Sequence, residues 1–416
     1  MNGLNYFLIG IKGSGMSALA KLLYDKGHHI AGSDVDTTFF TEERLSFCRI
    51  YPLGTILEDY VYIVGSVFVG GSDHLEVIKR GYPVYRYNEF LNTLDGIGIA
   101  VSGTHGKTTI TSLIAHLFKD ERIDYLIGDG SGKGNIDNDY FIYEACEYQK
   151  HFLAYYPHFL LINNIEYEHT DFYKSIEEII DSFQELANQS NICLINGDDE
   201  NCLKIQGNNI IHFGFNDNND YVIKIIDDKY PYRIKIIHDS VSYYYAIPFY
   251  GRHMIYNCAG AIITALIHNI GDIQKSIDSF KMPYRRMAEH RINDYLIIDD
   301  YAHHPTEIKV TLEAIQAKYN RDVVLVFEPH TYSRTLDLID DFVDVLKDVK
   351  YLFIADVFTS IREKSHGNIN FLLKRLPNAR HFEDVSELID FHDKVIVFMG
   401  AGTIYKKIEE LKKIIV

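Results

Sequence analysis

The chain repeats one pattern of hydrophobic and polar positions: a short apolar run, a polar or glycine-rich turn, and a stretch with apolar positions at helical spacing. Apolar runs of about four to eight residues between turns are typical of buried strands, and apolar positions three and four residues apart are typical of helices. Strands that alternate with helices favour parallel sheets covered by helices. The sequence therefore predicts an α/β protein.

The pattern divides the chain into three predicted domains, which span residues 1–94, 95–284 and 285–416. The first begins with a strand at 6–9 and a helix at 16–24, which Gly27 is placed to cap. Shorter strands are predicted at 62–64 and 84–85. This order is a βαβ start.

The second predicted domain alternates strands with helices and then changes its period. Apolar runs at 97–101, 141–143 and 159–162 predict buried strands. Alternation with period two over 221–250 predicts antiparallel strands at the edge of the sheet, followed by a helix at 254–268.

The third predicted domain is another doubly wound unit. Its strands are predicted at 295–298, 323–327, 351–354 and 395–398. Its helices are predicted near 306–318, 334–349 and 404–414. The borders of all three domains are inferred from the change of pattern, because the chain has no Pro/Gly-rich linker between them.

Composition limits the classes of function. The chain has 416 residues and a net charge of −17, which argues against nucleic acid or an anionic membrane as a partner. Its five cysteines lack C-x-x-C spacing and are typical of thiols in a reducing cytoplasm. Neither a signal peptide nor a membrane span is predicted. We therefore expect a cytoplasmic protein without membrane insertion.

The most informative motif is SGTHGKTT at 102–109, between a predicted strand and a predicted helix. Such a loop binds phosphate through backbone N–H groups at a helix N-terminus, with Lys107 near a terminal phosphate and the Thr108 hydroxyl near Mg²⁺. Val101 stands where the long form of the motif has its first glycine. The residues predicted to bind ATP here are Gly103, Thr104, His105, Gly106, Lys107, Thr108 and Thr109.

A second glycine-rich loop, GIKGSG at 10–15, follows the first predicted strand. Its spacing is G-x-x-G-x-G, which differs from the dinucleotide fingerprint G-x-G-x-x-G. A pyrophosphate site and an ordinary tight turn both fit this loop. The candidate contacts are Gly10, Gly13, Ser14, Gly15, Ser33 and Asp34.

Polar residues at two strand ends of the second domain predict a metal site. Glu144 follows one strand and His169 lies beyond the next, and open α/β sheets bind ligands at the carboxyl ends of their strands. Thr108, Glu144 and His169 are therefore candidate Mg²⁺ ligands. Glu147 is a rival to Glu144.

Further polar motifs follow strands of the third domain. DDYAHHP at 299–305 favours function over a structural turn, and PHTYSR at 329–334 has the same placement. GAG at 400–402 fits a turn as well as a phosphate contact. A structural role and a nucleotide contact both fit GRHMIYN at 251–257, and both fit the arginine pair at 285–286.

Together the motifs resemble those of the Mur ligase family over nearly the whole chain. The resemblance rests on GIKGSGMSALA at 10–20, SGTHGKTT at 102–109, IGDGSGKG at 127–134, EACEYQKHF at 144–152, NNIEYEHTDFY at 163–173, GRHMIYN at 251–257, RRM at 285–287, DDYAHHPTE at 299–307, EPHTYSRT at 328–335 and GAGTI at 400–404. The EACEYQKHF block resembles the form found in Firmicutes. Lys12, in place of a glycine, and Glu168, in place of an aspartate, depart from the family pattern.

The resemblance implies a Rossmann-like N-terminal domain for a UDP-sugar, a central P-loop ATPase domain and a Rossmann-like C-terminal domain. It implies an ATP-dependent acid–amino-acid ligase of peptidoglycan precursor synthesis. The implied substrates are ATP, UDP-N-acetylmuramate and L-alanine, with Mg²⁺ as cofactor, and the lactyl carboxylate is joined to the amine through an acyl phosphate.

The resemblance also implies roles for single residues. Lys107, His169 and Arg334 are the implied catalytic residues. The implied nucleotide contacts outside the phosphate loop are His253, Asn257, Arg285 and Arg286, and the implied amino-acid contacts are Tyr301, His303 and Arg334. The first glycine loop, with Ser33 and Asp34, is implied to hold the UDP group.

Three other functions compete with this one. A ligase that attaches a preformed peptide to the same sugar nucleotide shares most of the motifs. A sugar-nucleotide sensor without turnover would not need Lys107, Thr108, Glu144 and His169. An NAD-dependent oxidoreductase fits only the first glycine loop, whose spacing differs, and leaves the second loop unexplained.

Overall fold

A computed structural model describes residues 3–37, 39–169, 172–358 and 368–416. In these residues three β-sheets follow one another along the chain. The predicted domain borders after residues 94 and 284 fall between the last strand of one sheet and the first strand of the next. The borders themselves stay predictions.

The N-terminal sheet is parallel. Its strands are β1 (Asn5–Ile9), β2 (His29–Asp34), β3 (Arg49–Pro52), β4 (Val61–Val64) and β5 (Val84–Arg86). Its helices are α1 (Ser14–Asp25), α2 (Ser72–Lys79) and α3 (Tyr87–Leu91), with short 3₁₀ helices at Glu42–Leu45 and Ser66–Phe68. The strand order is β3-β2-β1-β4-β5, so the ends of β1 and β2 bring the glycine loop and Asp34 to one edge.

The central sheet carries the phosphate loop. Its strands are β6 (Ile97–Ser102), β7 (Ile123–Leu126), β8 (Gly132–Lys133), β9 (Tyr140–Glu144), β10 (Phe159–Ile162), β11 (Ile192–Asn196), β12 (Ile210–Gly214), β13 (Tyr221–Asp227), β14 (Tyr232–His238) and β15 (Val241–Ile247). Its helices are α4 (Lys107–Leu117), α5 (Ile176–Asn188), α6 (Arg252–Ile267) and α7 (Ile273–Ser279), with 3₁₀ helices at Tyr148–Ala154 and Cys202–Lys204.

The order of this sheet is β15-β14-β13-β12-β11-β10-β6-β9-β7-β8, with antiparallel pairing at both ends. The parallel strands β10, β6 and β9 are neighbours in its middle. Ser102 pairs with Ile162, and Val101 pairs with Glu144. The register therefore places the polar segments after all three strands at one edge.

The C-terminal sheet has the order β16-β17-β21-β18-β19-β20, and only the β16–β17 pair is antiparallel among the described residues. Its strands are β16 (Ala288–Ile292), β17 (Tyr295–Asp300), β18 (Val323–Phe327), β19 (Tyr351–Ile354), β20 (Ala379–His381) and β21 (Val395–Met399). Its helices are α8 (Pro305–Tyr319), α9 (Tyr332–Asp337), α10 (Ile339–Leu346), α11 (Asn370–Leu373) and α12 (Lys406–Ile415), with a 3₁₀ helix at Val385–Phe391.

The core explains why the apolar runs become central strands. All four residues of β10 are fully buried, and their side chains alternate between the two faces of the sheet. Leu160 and Ile162 pack in one apolar cluster, while Phe159 and Leu161 pack in another. Each such side chain contributes roughly 1.5–3 kcal/mol on burial. A strand covered on both faces shows no alternation in its sequence.

The α/β class is confirmed, and so are the antiparallel strands within 221–250. The single helix predicted at 334–349 is wrong, because the chain forms α9 and α10 there. Leu338 separates them with φ −105° and ψ 22°, outside helical geometry. In the described residues, no helix is both long enough and apolar enough to cross a membrane.

Candidate active site

The phosphate loop joins β6 to α4 at the middle of the central sheet. Gly103 and Gly106 have φ of 130° and 87°, conformations that strain any other residue. A Cβ atom at Gly106 would also lie 2.7 Å from Oδ1 of Asn257. Both glycines are therefore required by the backbone, and the start of α4 at Lys107 presents N–H groups suited to an anion.

Residues that follow β10 hold this loop in place. The backbone N–H of His105 donates to Oδ1 of Asn164 at 2.7 Å, and that of Thr104 donates to the Asn164 carbonyl at 3.0 Å. The N–H of Glu166 donates to the Thr104 hydroxyl at 2.8 Å. Asn163 donates to the His105 carbonyl at 3.2 Å. These hydrogen bonds hold the backbone of the phosphate loop in one conformation.

Lys107 lies against the buried carboxylate of Glu147. Its Nζ atom is 3.0 Å from Oε2 of Glu147 and donates to the Gly103 carbonyl at 2.6 Å. Burial opposes the charge of Lys107, but the acidic groups around it, Glu147 first, together outweigh burial and raise the pKa of the lysine. Lys107 therefore carries its positive charge at neutral pH.

Glu147, Glu168 and His169 form a cluster beside Lys107. One ligand atom of each lies within 4.8 Å of the others, and Nε2 of His169 is 3.1 Å from Oε1 of Glu147. Thr108 lines the same cavity. Two carboxylates and a hydroxyl are oxygen donors of the kind that Mg²⁺ prefers. The donor set therefore fits a magnesium ion.

Glu144, the predicted ligand, has other contacts. It accepts a hydrogen bond from the backbone N–H of Gly128, and it also bonds with the Thr108 hydroxyl. Burial raises the pKa of its carboxyl group. The structure thus brings the rival residue Glu147 to His169 and holds Glu144 between Gly128 and Thr108. The assignment of Glu144 to the metal stays a prediction.

Two of the three predicted acceptor residues, His303 and Arg334, meet at Glu168, while the ring of Tyr301 lies against His303 and lines the same cavity. Arg334 lies 3.0 Å from Oε1 of Glu168, and Nε2 of His303 lies 3.8 Å from the same oxygen. Burial, and then the charge of Arg334, lower the pKa of His303 to about 4. Burial raises the pKa of Glu168, but the charges of His169 and Arg334 outweigh it and hold that pKa well below its usual range. Glu168 therefore couples the acceptor residues to the metal cluster.

His105 connects the phosphate loop to the C-terminal domain. Its Nε2 lies 3.4 Å from Oε2 of Glu166, and its Nδ1 lies 3.4 Å from Oε1 of Glu307 on α8. Burial opposes its charge, but the two carboxylates outweigh burial and raise the pKa of His105 to about 10. Thr306 also donates a hydrogen bond to Glu166 at 2.8 Å across this contact.

Two cavities flank the phosphate loop. The smaller, of about 240 Å³, is lined by all three domains, including Phe40, Lys107, His169 and His303. The larger, of about 440 Å³, lies between the central and C-terminal domains. The predicted nucleotide residues that line it are His105, Gly106, Thr109, His253, Asn257 and Arg286.

His253 and Asn257 enter this larger cavity from the start of α6. Burial lowers the pKa of His253 to about 4, so its ring is neutral at pH 7. Its Nδ1 atom is buried and has no hydrogen-bond partner among the described residues. Asn257 is buried and accepts a hydrogen bond from Asn163 at 3.2 Å. Both side chains are placed to meet a ligand in this cavity.

Arg285 and Arg286 have different environments. Arg285 is 1% exposed; its Nε lies 3.1 Å from Oδ1 of Asp299, and its Nη2 donates to the Gly400 carbonyl at 2.6 Å. Arg286 lines both cavities, with Nη1 3.8 Å from Oε1 of Glu307. To contact a nucleotide as predicted, Arg285 would need N–H donors that already bind Asp299 and the Gly400 carbonyl.

The first glycine loop is stabilised by Asp34. Its Oδ2 accepts a hydrogen bond from the backbone N–H of Lys12 at 2.7 Å, and its Oδ1 accepts one from Val35 at 2.8 Å. Ser33 is fully buried, whereas Gly13 is exposed. Gly10 has φ of 85°. Ser14 and Gly15 are half-buried at the start of α1, so 13–15 form the accessible part of this loop.

Comparison with known proteins decides the family. Three family descriptions match: "Mur ligase family, catalytic domain" at residues 5–46, "Mur ligase middle domain" at 131–265, and "Mur ligase, glutamate ligase domain" at 285–402. The UDP-N-acetylmuramate–L-alanine ligase of Lactiplantibacillus plantarum is 39% identical, with 97% of this chain and 98% of that protein covered. The chain belongs to the Mur ligase family. The enzyme of the same name from Streptococcus thermophilus strain CNRZ 1066 is 37% identical over 96% of this chain and 94% of its own.

Solved structures of Mur ligases share this fold. The UDP-N-acetylmuramate–alanine ligase of Thermotoga maritima has a TM-score of 0.80 at 20% identity and covers 99% of this chain and 98% of its own. A murein peptide ligase of Psychrobacter arcticus has a TM-score of 0.73 at 21% identity, with the same coverage. At these identities the likeness concerns the fold alone.

Three acidic residues of this Mur ligase site were missing from the predicted set. Glu166 and Glu168 lie in the quoted block 163–173, of which residues 170–171 are outside the described part of the chain. Glu307 lies in the first turn of α8, four positions after His303. A glutamate at the third position of a helix can accept backbone N–H groups of the preceding residues, as Glu307 does from His303 at 3.2 Å, and that position is a signal that sequence alone offers.

We predict that substitution of Arg285 lowers the stability of the protein, whereas substitution of Arg286 weakens ATP binding. Arg285→Met should lower the free energy of unfolding by about 3–5 kcal/mol, because it leaves Asp299 buried without its cation. Arg286→Met should lower stability less than Arg285→Met does, because Glu307 lies 3.8 Å from Arg286 and keeps His105 as a nearer partner at 3.4 Å, and it should weaken ATP binding. Urea denaturation and ATP titration measure both quantities. A stable Arg285→Met protein with weakened ATP binding would contradict this division.

Proposed function

We propose that this chain ligates L-alanine to the lactyl carboxylate of UDP-N-acetylmuramate, with cleavage of ATP to ADP and phosphate. One observation carries the proposal. A single cavity between the three domains is lined by the charged lysine of a phosphate loop, by the oxygen-rich cluster that fits Mg²⁺, and by His303 of the predicted acceptor set. The 39% identity to an enzyme of that name over 97% of the chain supports the choice of substrates.

The reaction begins with transfer of the γ-phosphoryl group of ATP to the lactyl carboxylate. The carboxylate oxygen forms a bond to phosphorus as the bond to ADP breaks, which gives an acyl phosphate. Charge on the transferring group is stabilised by preorganised cations, the main source of catalysis in such transfers. Lys107 is held for this role by Glu147 at 3.0 Å.

Glu147, Glu168, His169 and Thr108 would hold Mg²⁺, with Glu144 as the predicted alternative ligand. Bound there, the ion supplies further positive charge to the phosphates. The pairing of Lys107 with Glu147 keeps the lysine charged and in the cavity before phosphate competes for it. Because the reaction uses ATP, we propose that the enzyme works in the cytoplasm.

In the second step, the amine of L-alanine attacks the acyl carbon. The tetrahedral intermediate collapses to an amide as the C–O bond to phosphate breaks and the amine loses a proton. Arg334 binds the alanine carboxylate, while Tyr301 and His303 shape the pocket. Because the pKa of His303 is lowered to about 4, this ring is neutral at pH 7 and adds no charge to the pocket.

ATP and the UDP-sugar occupy different sites in this proposal. The adenosine part of ATP lies in the cavity of about 440 Å³ with His253, Asn257 and Arg286, next to the phosphate loop. The UDP group lies at the first glycine loop, where Gly13 to Gly15 are accessible.

The proposal is tested by phosphate release from the purified full-length chain. We expect release only with ATP, Mg²⁺, UDP-N-acetylmuramate and L-alanine together, and loss of activity when any one is omitted. A tripeptide in place of L-alanine tests the peptide-attaching alternative. Efficient ligation of the tripeptide with L-alanine inactive would replace this proposal by that one.

Gly13→Val should weaken UDP-N-acetylmuramate binding and leave ATP binding nearly unchanged. The valine side chain would occupy the space next to α1 that a pyrophosphate needs. Gly13→Ala is the matched control, because its Cβ atom would meet only the Gly10 carbonyl, at an ordinary 3.4 Å, and φ at this position is −62°. Calorimetry with each nucleotide measures the result. Loss of ATP binding alone would count against the assignment of this loop.

A further inference from the structure

One apolar side chain stands out in the cavity that contains Lys107. Among the described residues that line this cavity of about 240 Å³, Phe40 is the only one whose side chain is made of hydrocarbon alone. It is also the only lining residue of the N-terminal domain in the described part of the chain. A phenyl ring has no hydrogen-bond donor or acceptor for a phosphate or a carboxylate. Phe40 therefore has a different task from the charged and polar side chains around it.

The ring of Phe40 lies at the edge of the cavity, against two tyrosines. It stacks on Tyr284, with ring centroids 5.6 Å apart and 24° between the ring planes, and it meets the ring of Tyr405 at 6.4 Å and 83°. Both arrangements are favourable for aromatic pairs. Tyr284 lines the cavity as well. Because Phe40 is half-buried and Tyr284 is exposed, this ring pair lies between the cavity and the solvent.

The residues that follow Phe40 are fixed to two domains. The hydroxyl of Thr41, which is fully buried, donates a hydrogen bond to the Lys12 carbonyl in the first glycine loop. Nη1 of Arg44 donates to the carbonyl of Asp129 in the central domain at 2.9 Å. These two contacts anchor the segment on both sides of the cavity edge. They therefore hold the ring of Phe40 where the domains meet.

The chemistry of the proposed reaction requires such a cover. The acyl phosphate formed beside Lys107 can react with water as well as with the amine. When water attacks the acyl carbon, the C–O bond to phosphate breaks, and the lactyl carboxylate, phosphate and a proton are released. ATP is then consumed without ligation. Closed active sites prevent such hydrolysis of reactive intermediates by excluding water.

We propose that Phe40, stacked on Tyr284, makes the enzyme select the amine over water by shielding the acyl phosphate. This inference rests on the proposed function, because the shield has a purpose only where an acyl phosphate forms. Lys107 acts on the formation of that intermediate, whereas Phe40 acts on what happens to it afterwards. Loss of the ring should therefore change the ratio of two products rather than abolish phosphoryl transfer.

The experiment measures released phosphate and ligated product in the same reaction of the purified full-length chain. With ATP, Mg²⁺, UDP-N-acetylmuramate and L-alanine, the wild-type protein should give equal amounts of both. Phe40→Ala should give an excess of phosphate over ligated product. The excess should disappear when UDP-N-acetylmuramate is omitted, because no acyl phosphate then forms. It should grow as L-alanine is lowered, because the amine competes with water for the same intermediate.

Two further variants separate shielding from a loss of structure. Phe40→Tyr keeps the ring and should restore equal amounts of phosphate and product. Phe47→Ala is the matched control, because Phe47 is a half-buried residue of the same domain whose ring packs on Tyr24 at 4.5 Å, and it is not among the described residues that line the cavity. If Phe40→Ala is unstable in a melting curve, Tyr284→Ala removes the other ring of the cover and should give the same excess.

The ratio of phosphate to product decides between the outcomes. An excess of phosphate in Phe40→Ala that depends on UDP-N-acetylmuramate, with equal amounts in Phe40→Tyr and Phe47→Ala, supports the proposal. Equal amounts in both Phe40→Ala and Tyr284→Ala would overturn it, and a raised KM for UDP-N-acetylmuramate in that case would mean that the ring contacts the sugar. A wild-type protein that forms no ligated product would instead contradict the proposed function, and this inference with it.

Discussion

Lys107→Ala should lower the rate of ligation by about 100-fold or more, the cost typical of removing one preorganised group that stabilises transition-state charge. The lysine lies at the start of α4, and its ammonium group is held by Glu147 at 3.0 Å and by the Gly103 carbonyl at 2.6 Å. Its side chain fills no part of the apolar core. Its removal leaves the buried Glu147 carboxylate with His169 at 3.1 Å as a remaining partner, so the variant should lose some stability but stay folded while losing activity.

Steady-state phosphate release measures this loss, and circular dichroism with a melting curve shows whether the fold is kept. Lys119→Ala is the control, since Lys119 follows the same helix and contacts the Ser279 hydroxyl at 3.5 Å, away from the cavity. The control should keep the wild-type rate. A Lys107→Ala protein that turned over at nearly the wild-type rate would show that this loop is not the ATP site.

The fold was predictable where the sequence repeats a strong pattern. The buried strand β10 and the period-two strands β13 to β15 follow directly from their apolar positions. Helix α11 and strand β20 were not predicted, because α11 has four residues and β20 has three, with two of them exposed. Elements this short bury too little apolar surface to leave a periodic signal. The break at Leu338 has no Gly or Pro to mark it.

The site was predictable as a set of loops but not as a set of contacts. Sequence position placed Glu144 and Glu147 at the same strand end, and only the structure brings Glu147 to His169. The adjacent Arg285 and Arg286 are indistinguishable by pattern, although one is buried against Asp299 and the other lines both cavities. Such differences depend on which way a side chain turns after its strand or loop, and spacing does not encode that direction.

Glu168 shows how a departure from the family pattern changes the site. Its longer side chain reaches Arg334 at 3.0 Å, so the predicted acceptor arginine already has a carboxylate partner. Glu168 is buried, and its pKa is held low by His169 and Arg334 against the effect of burial, so it stays ionised at neutral pH. The carboxylate of an amino acid must therefore share the guanidinium of Arg334 with Glu168. A guanidinium group has several N–H donors in one plane and is therefore suited to binding two carboxylates.

Arg334→Lys should accordingly raise the KM for L-alanine strongly while changing the KM for ATP little. The guanidinium of arginine has five N–H donors in a fixed fork, whereas an ammonium group cannot reproduce a bidentate contact and hold Glu168 as well. Hydrogen bonds to charged groups contribute about 1.5–3 kcal/mol, which corresponds to an increase in KM of about ten- to a hundredfold. Arg375→Lys is the control, because Arg375 pairs with exposed Asp340 on the surface.

The same assay tests acceptor choice in the wild-type enzyme. A pocket sized for a methyl group discriminates poorly between similar side chains, because each methylene contributes roughly 1–3 kcal/mol. Glycine and L-serine should therefore be slow but detectable substrates, and a tripeptide should not be a substrate.

An equal rise in the KM for ATP and L-alanine in Arg334→Lys would mean that the arginine supports the whole site through Glu168. A rise in KM confined to L-alanine would instead establish Arg334 as the group that binds the acceptor carboxylate, because the contact between Arg334 and that carboxylate forms only when the amino acid binds.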